Sequence, residues 1–401
     1  MQARTVLHKV VNQVSSTMHA RRRTALEALV WSAMRGQALT VTDLGRGLEG
    51  RAREKHCIKR ADRLLSNSHL QSEREALYGR LCQWLIGAQV HPVILIYWSD
   101  LDATKSFQVL RASLAVAGRA LTLYEAVHGR ETALKAAAER AFLETLQQCL
   151  PAGCCPIVVA DAGFRTPWFK AVEALGWYWV ARIRHRHLVQ FEAGGAWTPV
   201  KALHKQATHT PRLLGEVRVT KRNPHACRLV VYRGKPHGRH RLTRFGARAQ
   251  SCASEKQAQA GREPWVLATN LPDRGTLAKK VVRLYASRMQ IEEAFRDLKS
   301  TRFGIGFEQH RTTHGGRLGV LLLIAALALM VLWLVGAAAR AHGQARHYQA
   351  NTVRAHPVLS VIFLGTRLCQ RECEALTVDA VLDAVALILP LNQRCAMAET
   401  A

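Results

Sequence analysis

Hydrophobic and polar positions alternate with different periods along the chain, and the changes of period divide it. From residue 1 to about 85 the pattern is helical. Ala25–Met34 is mostly apolar, with Arg21–Arg23 before it and Arg35 after it. Val41-Thr42-Asp43-Leu44 has the composition to cap and open a short helix, and Cys57–Leu65 (CIKRADRLL) reads as a second one. On that second helix Lys59, Arg60 and Arg63 share one face, while Ile58, Ala61 and Leu65 can pack. The pattern then shortens. Val93–Tyr97 (VILIY) is an apolar run of strand length, and Ser106–Ala117 and Ala120–His128 read as a hairpin turning at Gly118-Arg119. Glu131–Leu150 is helical, and Pro156–Ala160 (PIVVA) is a buried strand running into Asp161 and a turn at Gly163. Pro167–Leu175 is a helix and Trp177–Ile183 a strand. This order predicts an α/β core.

Residues 185–262 break the alternation. They are rich in Arg, Lys, His and Gly with short strand-like pieces such as Leu229–Tyr232, so a β-rich insertion is expected. Glu263–Asn270 (EPWVLATN) returns to the core as a strand. Tyr285–Lys299 (YASRMQIEEAFRDLK) follows. Read as one helix at about 100° per residue, it places Tyr285, Arg288, Glu292 and Lys299 in one stripe beside an apolar stripe of Leu284, Ile291, Phe295 and Leu298. Such a face can be a solvated surface carrying i,i+4 pairs. It can also hold a divalent cation on its carboxylate, with phosphates gripped by the cations beside it. Leu318–Ala339 carries no charged residue and is long enough to cross a bilayer. Its isolation, its Ala and Gly content and its place just after the Glu292 helix favour a buried core helix. The chain from 346 to 401 reads as helical.

Composition adds the partner. The 401 residues hold 57 Lys+Arg against 29 Asp+Glu, a formal net charge of +28, which points to a polyanion and most simply to nucleic acid. A hydrophobic content of 48% excludes a disordered basic tail, and an aromatic content of 6% argues against a repeated base-stacking platform. The ten cysteines show no paired C-x2-C elements, so no zinc site is expected and free thiols in a reducing cytoplasm are. The start, MQARTVLHKVVNQ, lacks the apolar run of a secretion signal.

The spacing Tyr-x2-Arg-x3-Glu-x6-Lys over Tyr285, Arg288, Glu292 and Lys299 resembles the signature of insertion-sequence family 4, the cut-and-paste DDE transposases. Further motifs carry the resemblance in the same order along nearly the whole chain. They include LTVTDLGR near residue 40, KHCIKRADRLL at 55, WSD at 98, DAGFRTPWFKAVEALGWYWVAR at 161, EPWVLATNLP at 263 and ANTVRAHPVLS at 350. The resemblance implies a ribonuclease-H-like catalytic core over 86–345, interrupted by the 185–262 insertion. It also implies a helical domain over 1–85 that binds DNA ends through Lys59, Arg60 and Arg63, and a helical C-terminal region over 346–401. The implied partners are double-stranded DNA, as transposon ends and target, and a second copy of the chain in the synaptic complex. No membrane is implied, and the setting is cytoplasmic, at the nucleoid. The implied cofactor is Mg²⁺, with Mn²⁺ able to replace it. Asp161 and Glu292 match two of the three metal-binding carboxylates. Tyr285, Arg288 and Lys299 match phosphate contacts, and Trp265 matches the tryptophan that stacks on a flipped base during hairpin formation.

The first carboxylate should stand where this chain has Tyr97, in IYWSD. A neutral phenol is a poor ligand for a hard cation. Asp100 lies three residues on, so strand alternation points it to the other face and about 10 Å along, unless the chain bends at Trp98-Ser99. Asp102 is farther still. The expectation is a transposase by ancestry with a crippled metal site. A catalytically silent DNA-binding relative is the competing reading.

Overall fold

The computed structural model describes residues 2–36, 38–184, 187–234, 263–350, 352–353, 358–371 and 376–396. Two compact units emerge, one from residues 1–155 with 289–395, the other from 156–288 with the chain end from Ala396.

The first unit begins with α1 (Gln2–Val14), α2 (Ala20–Arg35), α3 (Val41–Arg46), α4 (Glu54–Leu65) and α5 (Ser68–Ile86). The hydroxyl that opens α3 is Thr40, one residue before the expected segment. It accepts from Asp43 N at 3.0 Å, which satisfies one of the amides a helix start leaves over. Gly45 lets α3 lie on α4, since a Cβ there would come within 2.4 Å of Ile58 Cα. On α4 the buried side is Cys57, Ala61, Leu64 and Leu65, and Lys59, Arg60 and Arg63 are exposed.

Strands β1 (Val93–Asp100), β2 (Phe107–Val116) and β3 (Arg119–Gly129) follow, each antiparallel to the next. Their tight turn falls on Ala117-Gly118, one residue before the expected pair. Both have positive φ, 39° and 87°, as a two-residue hairpin turn of this hand requires. Helix α6 (Ala136–Cys149) starts later than the pattern suggested, because residues 130–135 form turns after β3. Leu134 there adopts φ 60°.

The second unit opens with β4 (Ile157–Ala160), crosses through α7 (Thr166–Ala174) and returns in parallel as β5 (Tyr178–Arg182). The inserted segment supplies β6 (Leu188–Gln190), β7 (Thr198–Pro199), β8 (Arg212–Val219) and β9 (His225–Tyr232). Its remainder, 235–262, lies outside the described residues. β10 (Trp265–Thr269) runs antiparallel between β5 and β9, which gives a mixed sheet in the order β4-β5-β10-β9-β8-β6-β7. Phe169 on α7 stacks on Trp179 of β5 at 4.2 Å, with the rings nearly parallel. Helix α8 (Leu277–Ser287) closes the unit.

The chain then re-enters the first unit with α9 (Met289–Lys299), α10 (Gly315–Ala341), α11 (Val361–Gln370), α12 (Val378–Asp383) and α13 (Ile388–Ala396). Residues 351, 354–357, 372–375 and 397–401 of the expected C-terminal helical region lie outside the described residues, as does part of the ANTVRAHPVLS motif. Helix α10 is long and apolar enough to cross a membrane, yet 94% of its most apolar window is buried inside the protein. It is the hub of the first unit. Gly336 and Gly365 let α10 and α11 touch backbone to backbone, since a Cβ on either would lie 2.0 Å from a carbonyl oxygen of the other helix. Asn392 of α13 is buried and holds Val93 by both N–H and C=O and Ala115 by its C=O, each at 2.9 Å.

One expectation is overturned. Tyr285–Lys299 is not a single helix but the end of α8 and all of α9, with Arg288 between them. The Ser287 hydroxyl donates to Leu284 O at 2.7 Å, taking the carbonyl that a continuous helix would offer to Arg288 N. The Arg288 amide turns to Tyr285 O instead, at 3.1 Å. Tyr285 and Arg288 therefore belong to the second unit, and Glu292 and Lys299 to the first.

Candidate functional site

In the second unit the focus is Asp161, the residue after β4. The β4 side chains Ile157, Val158, Val159 and Ala160 are all buried, so the strand is fixed by packing and delivers Asp161 to a half-exposed position at its end. Asp161 Oδ1 accepts from Gly163 N at 2.8 Å, a short turn that orients the carboxylate.

Trp265 lies on β10 directly across from Tyr232 on β9, with ring centroids 5.8 Å apart. Tyr285 from α8 meets Trp265 edge-on at 4.9 Å, and the Arg288 guanidinium stands 5.5 Å from the Tyr285 ring. Tyr285 is buried, with the Arg182 guanidinium near its hydroxyl. Arg182 also donates to Glu263 O and Pro264 O, each at 3.3 Å. Burial pushes the Arg182 guanidinium below its usual pKa, against the pull of Tyr285 and Glu263. Of the residues expected to grip phosphate, Tyr285 is thus enclosed in an aromatic and cationic cluster. Tyr232, its third aromatic member, carried no signal in the sequence beyond its place in a strand-like run.

In the first unit β1 carries Tyr97. Its ring lies 6.0 Å from Phe295 of α9. The next residue points away, because Trp98 Nε1 donates to Glu139 of α6 at 3.1 Å and its ring meets His128. Ser99 returns to the α9 side, where its hydroxyl accepts from Lys299 Nζ at 2.8 Å. The same ammonium donates to Asp100 O at 2.6 Å. Pairing of β1 with β2 runs without a break from Ile94↔Leu114 to Asp100↔Gln108, so no bend occurs at Trp98-Ser99. The Asp100 carboxylate pairs with Lys105 at 3.2 Å. Asp102 is held by its own turn, accepting from Ser106 N and Phe107 N at 3.1 and 2.9 Å.

Beneath α9 lie charges the sequence reading did not single out. Arg111, paired in register with Tyr97, is buried with Glu125 in an ion pair of 2.7 Å, and its guanidinium sits 4.3 Å from the Phe295 ring. Tyr78 donates to the other Glu125 oxygen at 2.8 Å. Burial, and then Arg111, push Lys299 below the usual lysine pKa. Glu292 stands half-buried in the first turn of α9.

Residues 96–330, more than half of the chain, match the family model of the transposase DDE domain. The chain belongs to the DDE transposases. A search among curated proteins finds no match. Membership makes this a protein of DNA transposition and recombination, with DNA as its partner, from a family whose domains generally depend on a divalent metal. In this DDE transposase, among the described residues, no group of three or more His, Cys, Asp and Glu side chains could hold a metal ion.

Proposed function

We propose that this DDE transposase descends from the cut-and-paste enzymes of insertion-sequence family 4, with a ribonuclease-H-like core, and that strand cutting is impaired in this copy while DNA binding is retained. The observation that carries the reading is Tyr97. On this reading it occupies the position of the first acidic residue, with its ring against Phe295, while the Asp100 carboxylate is paired with Lys105. Asp161 and Glu292 remain as the other two carboxylates. A pair of metal ions that activates the attacking oxygen and holds the leaving one needs carboxylates from separate elements. Two of three are present, so on this reading the set falls short of holding Mg²⁺ or Mn²⁺.

The intact reaction on this reading is nicking at the transposon end, attack of the freed 3′-hydroxyl to form a hairpin, reopening by water and transfer into target DNA. A second copy of the chain would join two ends. Trp265 fits the role of stacking on a base drawn out of the duplex, supported by Tyr232 across the sheet and by Tyr285 at its edge. Arg288 and Lys299 would meet the backbone near the cut. Lys59, Arg60 and Arg63, exposed on α4 after the short α3, fit the second helix of a helix-turn-helix variant that reads the element's end. On this view residues 1–85 bind ends, 86–345 cut and 346–401 support protein contacts. The setting is the bacterial cytoplasm, at the nucleoid.

The competing function, a silent binder that occupies transposon ends, follows from the same tyrosine. The deciding experiment is Mg²⁺-dependent cleavage of a labelled transposon-end duplex by this chain and by Tyr97→Asp, with gel-shift binding alongside. Equal binding with nicking and hairpins from Tyr97→Asp alone supports the reading. Equal cutting by both overturns it.

A further inference from the structure

A groove of about 390 Å³ opens in the first unit between the start of α3 and the start of α10. Its lining includes Thr42, Arg311, Thr312, Thr313, His314 and Arg317, and no acidic residue. Arg311, Thr313 and His314 are exposed, and Thr42, Thr312 and Arg317 half-buried. Arg311 has no carboxylate partner among the described residues. Arg317 is a brace, since its guanidinium donates to Asp62 at 2.6 Å and to the Ser66 hydroxyl, both at the end of α4. The groove is thereby fixed to the helix whose outer face shows Lys59, Arg60 and Arg63. No side chain caps the start of α10, a 27-residue helix, so its first amides and the positive end of its dipole add to the field of the cations. Hydroxyl donors around one exposed cation, in a lining without a carboxylate, suit a tetrahedral oxyanion.

We propose that this groove seats one backbone phosphate of duplex DNA, so that the segment following the Glu292 helix grips the same duplex as α4. The proposal rests on the reading of α4 as a DNA-binding element and deepens it. Its source is a duplex phosphate because Arg317 braces the groove to α4, which exposes Lys59, Arg60 and Arg63, in a chain of net charge +28. One such contact strengthens binding of every sequence alike and releases about one counterion.

The test uses the full chain and a labelled duplex of mixed sequence, titrated over a series of salt concentrations. Arg311→Gln and Thr312→Val should each weaken binding, Arg311→Gln by about five- to tenfold near physiological salt, with the slope of log K against log salt shallower by about one. Both should melt at the temperature of the unaltered chain. Phosphate ethylation interference should show one phosphate that weakens the unaltered chain and has no effect on Arg311→Gln. A control with Lys59, Arg60 and Arg63 all changed to Ala separates the failures. If the control loses binding and Arg311→Gln keeps the full slope, the groove assignment is overturned and the α4 reading stands. If the unaltered chain binds no duplex, both fall. If inorganic phosphate raises the melting temperature through Arg311 while the duplex slope stays constant, the groove is a free-anion site and the duplex assignment is overturned.

Discussion

β1 and β4 are alike in sequence logic and differ in what stands at the position to which the proposal assigns a carboxylate. Each is an apolar run of strand length, with its first four side chains buried. β4 delivers a half-exposed carboxylate held by one short turn. β1 delivers a phenol against Phe295, backed by the buried Arg111–Glu125 pair and flanked by Lys299 bonded to Ser99 and to the strand backbone. The second unit thus keeps a carboxylate that packing does not need. The first has an aromatic contact at Tyr97, where the proposed reading calls for charge. An acidic side chain at a strand end costs little when water reaches it, so packing sets no bar to the role proposed for Asp161. Tyr97 is instead joined to its surroundings by packing.

The comparison breaks if restoring charge to β1 changes nothing. Tyr97→Asp should raise Mg²⁺-dependent nicking of a transposon-end duplex by about a thousandfold or more, since metal assistance is worth several kcal/mol and each 1.4 kcal/mol is about tenfold. Mn²⁺ binding followed by calorimetry should appear with the same change, giving a readout independent of turnover. Adding Asp161→Asn to Tyr97→Asp should return cutting to background and leave the urea midpoint nearly where it was, because Asp161 sits at a half-exposed turn. Persistent cutting in the double variant would remove Asp161 from the site.

A smaller effect sharpens the view that the first unit is organised by packing. Gly365→Leu would drive a side chain into the Leu332 carbonyl, where even a Cβ would sit 2.0 Å away. It should destabilise the first unit by about 3 kcal/mol. Urea unfolding followed by tryptophan fluorescence should lose that much for this variant, and much less for Arg371→Leu at the exposed C-cap of the same helix.

Much of this was legible in the chain. Alternation of apolar runs placed β1, β4, β5 and β10, and the uncharged run of α10 was readable as core from its isolation and its Ala and Gly content. The parity of Trp98 and Ser99 followed from strand geometry alone. What the sequence concealed is where a local bond outweighs periodicity. Leu284–Leu298 keeps a helical apolar stripe across the break, yet one hydroxyl, Ser287 to Leu284 O, divides it. No hydrophobic pattern records a choice of that kind. The charges under α9 were hidden for another reason. Arg111, Glu125 and Asp297 sit in stretches that read as ordinary strand and amphipathic helix, and a single sequence does not say which charged residue is turned inward.

Asp297 offers the smallest and most specific test of that last point. It is buried on α9 and paired with Arg119 at 2.5 Å. Burial lifts its carboxyl to about 6 from an ordinary value of 3.8, against the pull of Arg119. A carboxyl whose folded pKa lies above its unfolded one holds a proton that the unfolded chain has already released. The associated stability is therefore complete below about pH 4 and is lost as the pH rises through about 6. Asp297→Asn carries no such proton. The stability of the unaltered chain relative to Asp297→Asn should be greater at pH 4.5 than at pH 7, by on the order of 2 kcal/mol, about two-thirds of the whole effect, with the remainder appearing below pH 4.5. The opposite slope would mean that the Arg119 pair dominates and Asp297 is ionised throughout. Urea titrations of both chains at the two pH values decide it, and they do so inside the first unit without touching Asp161.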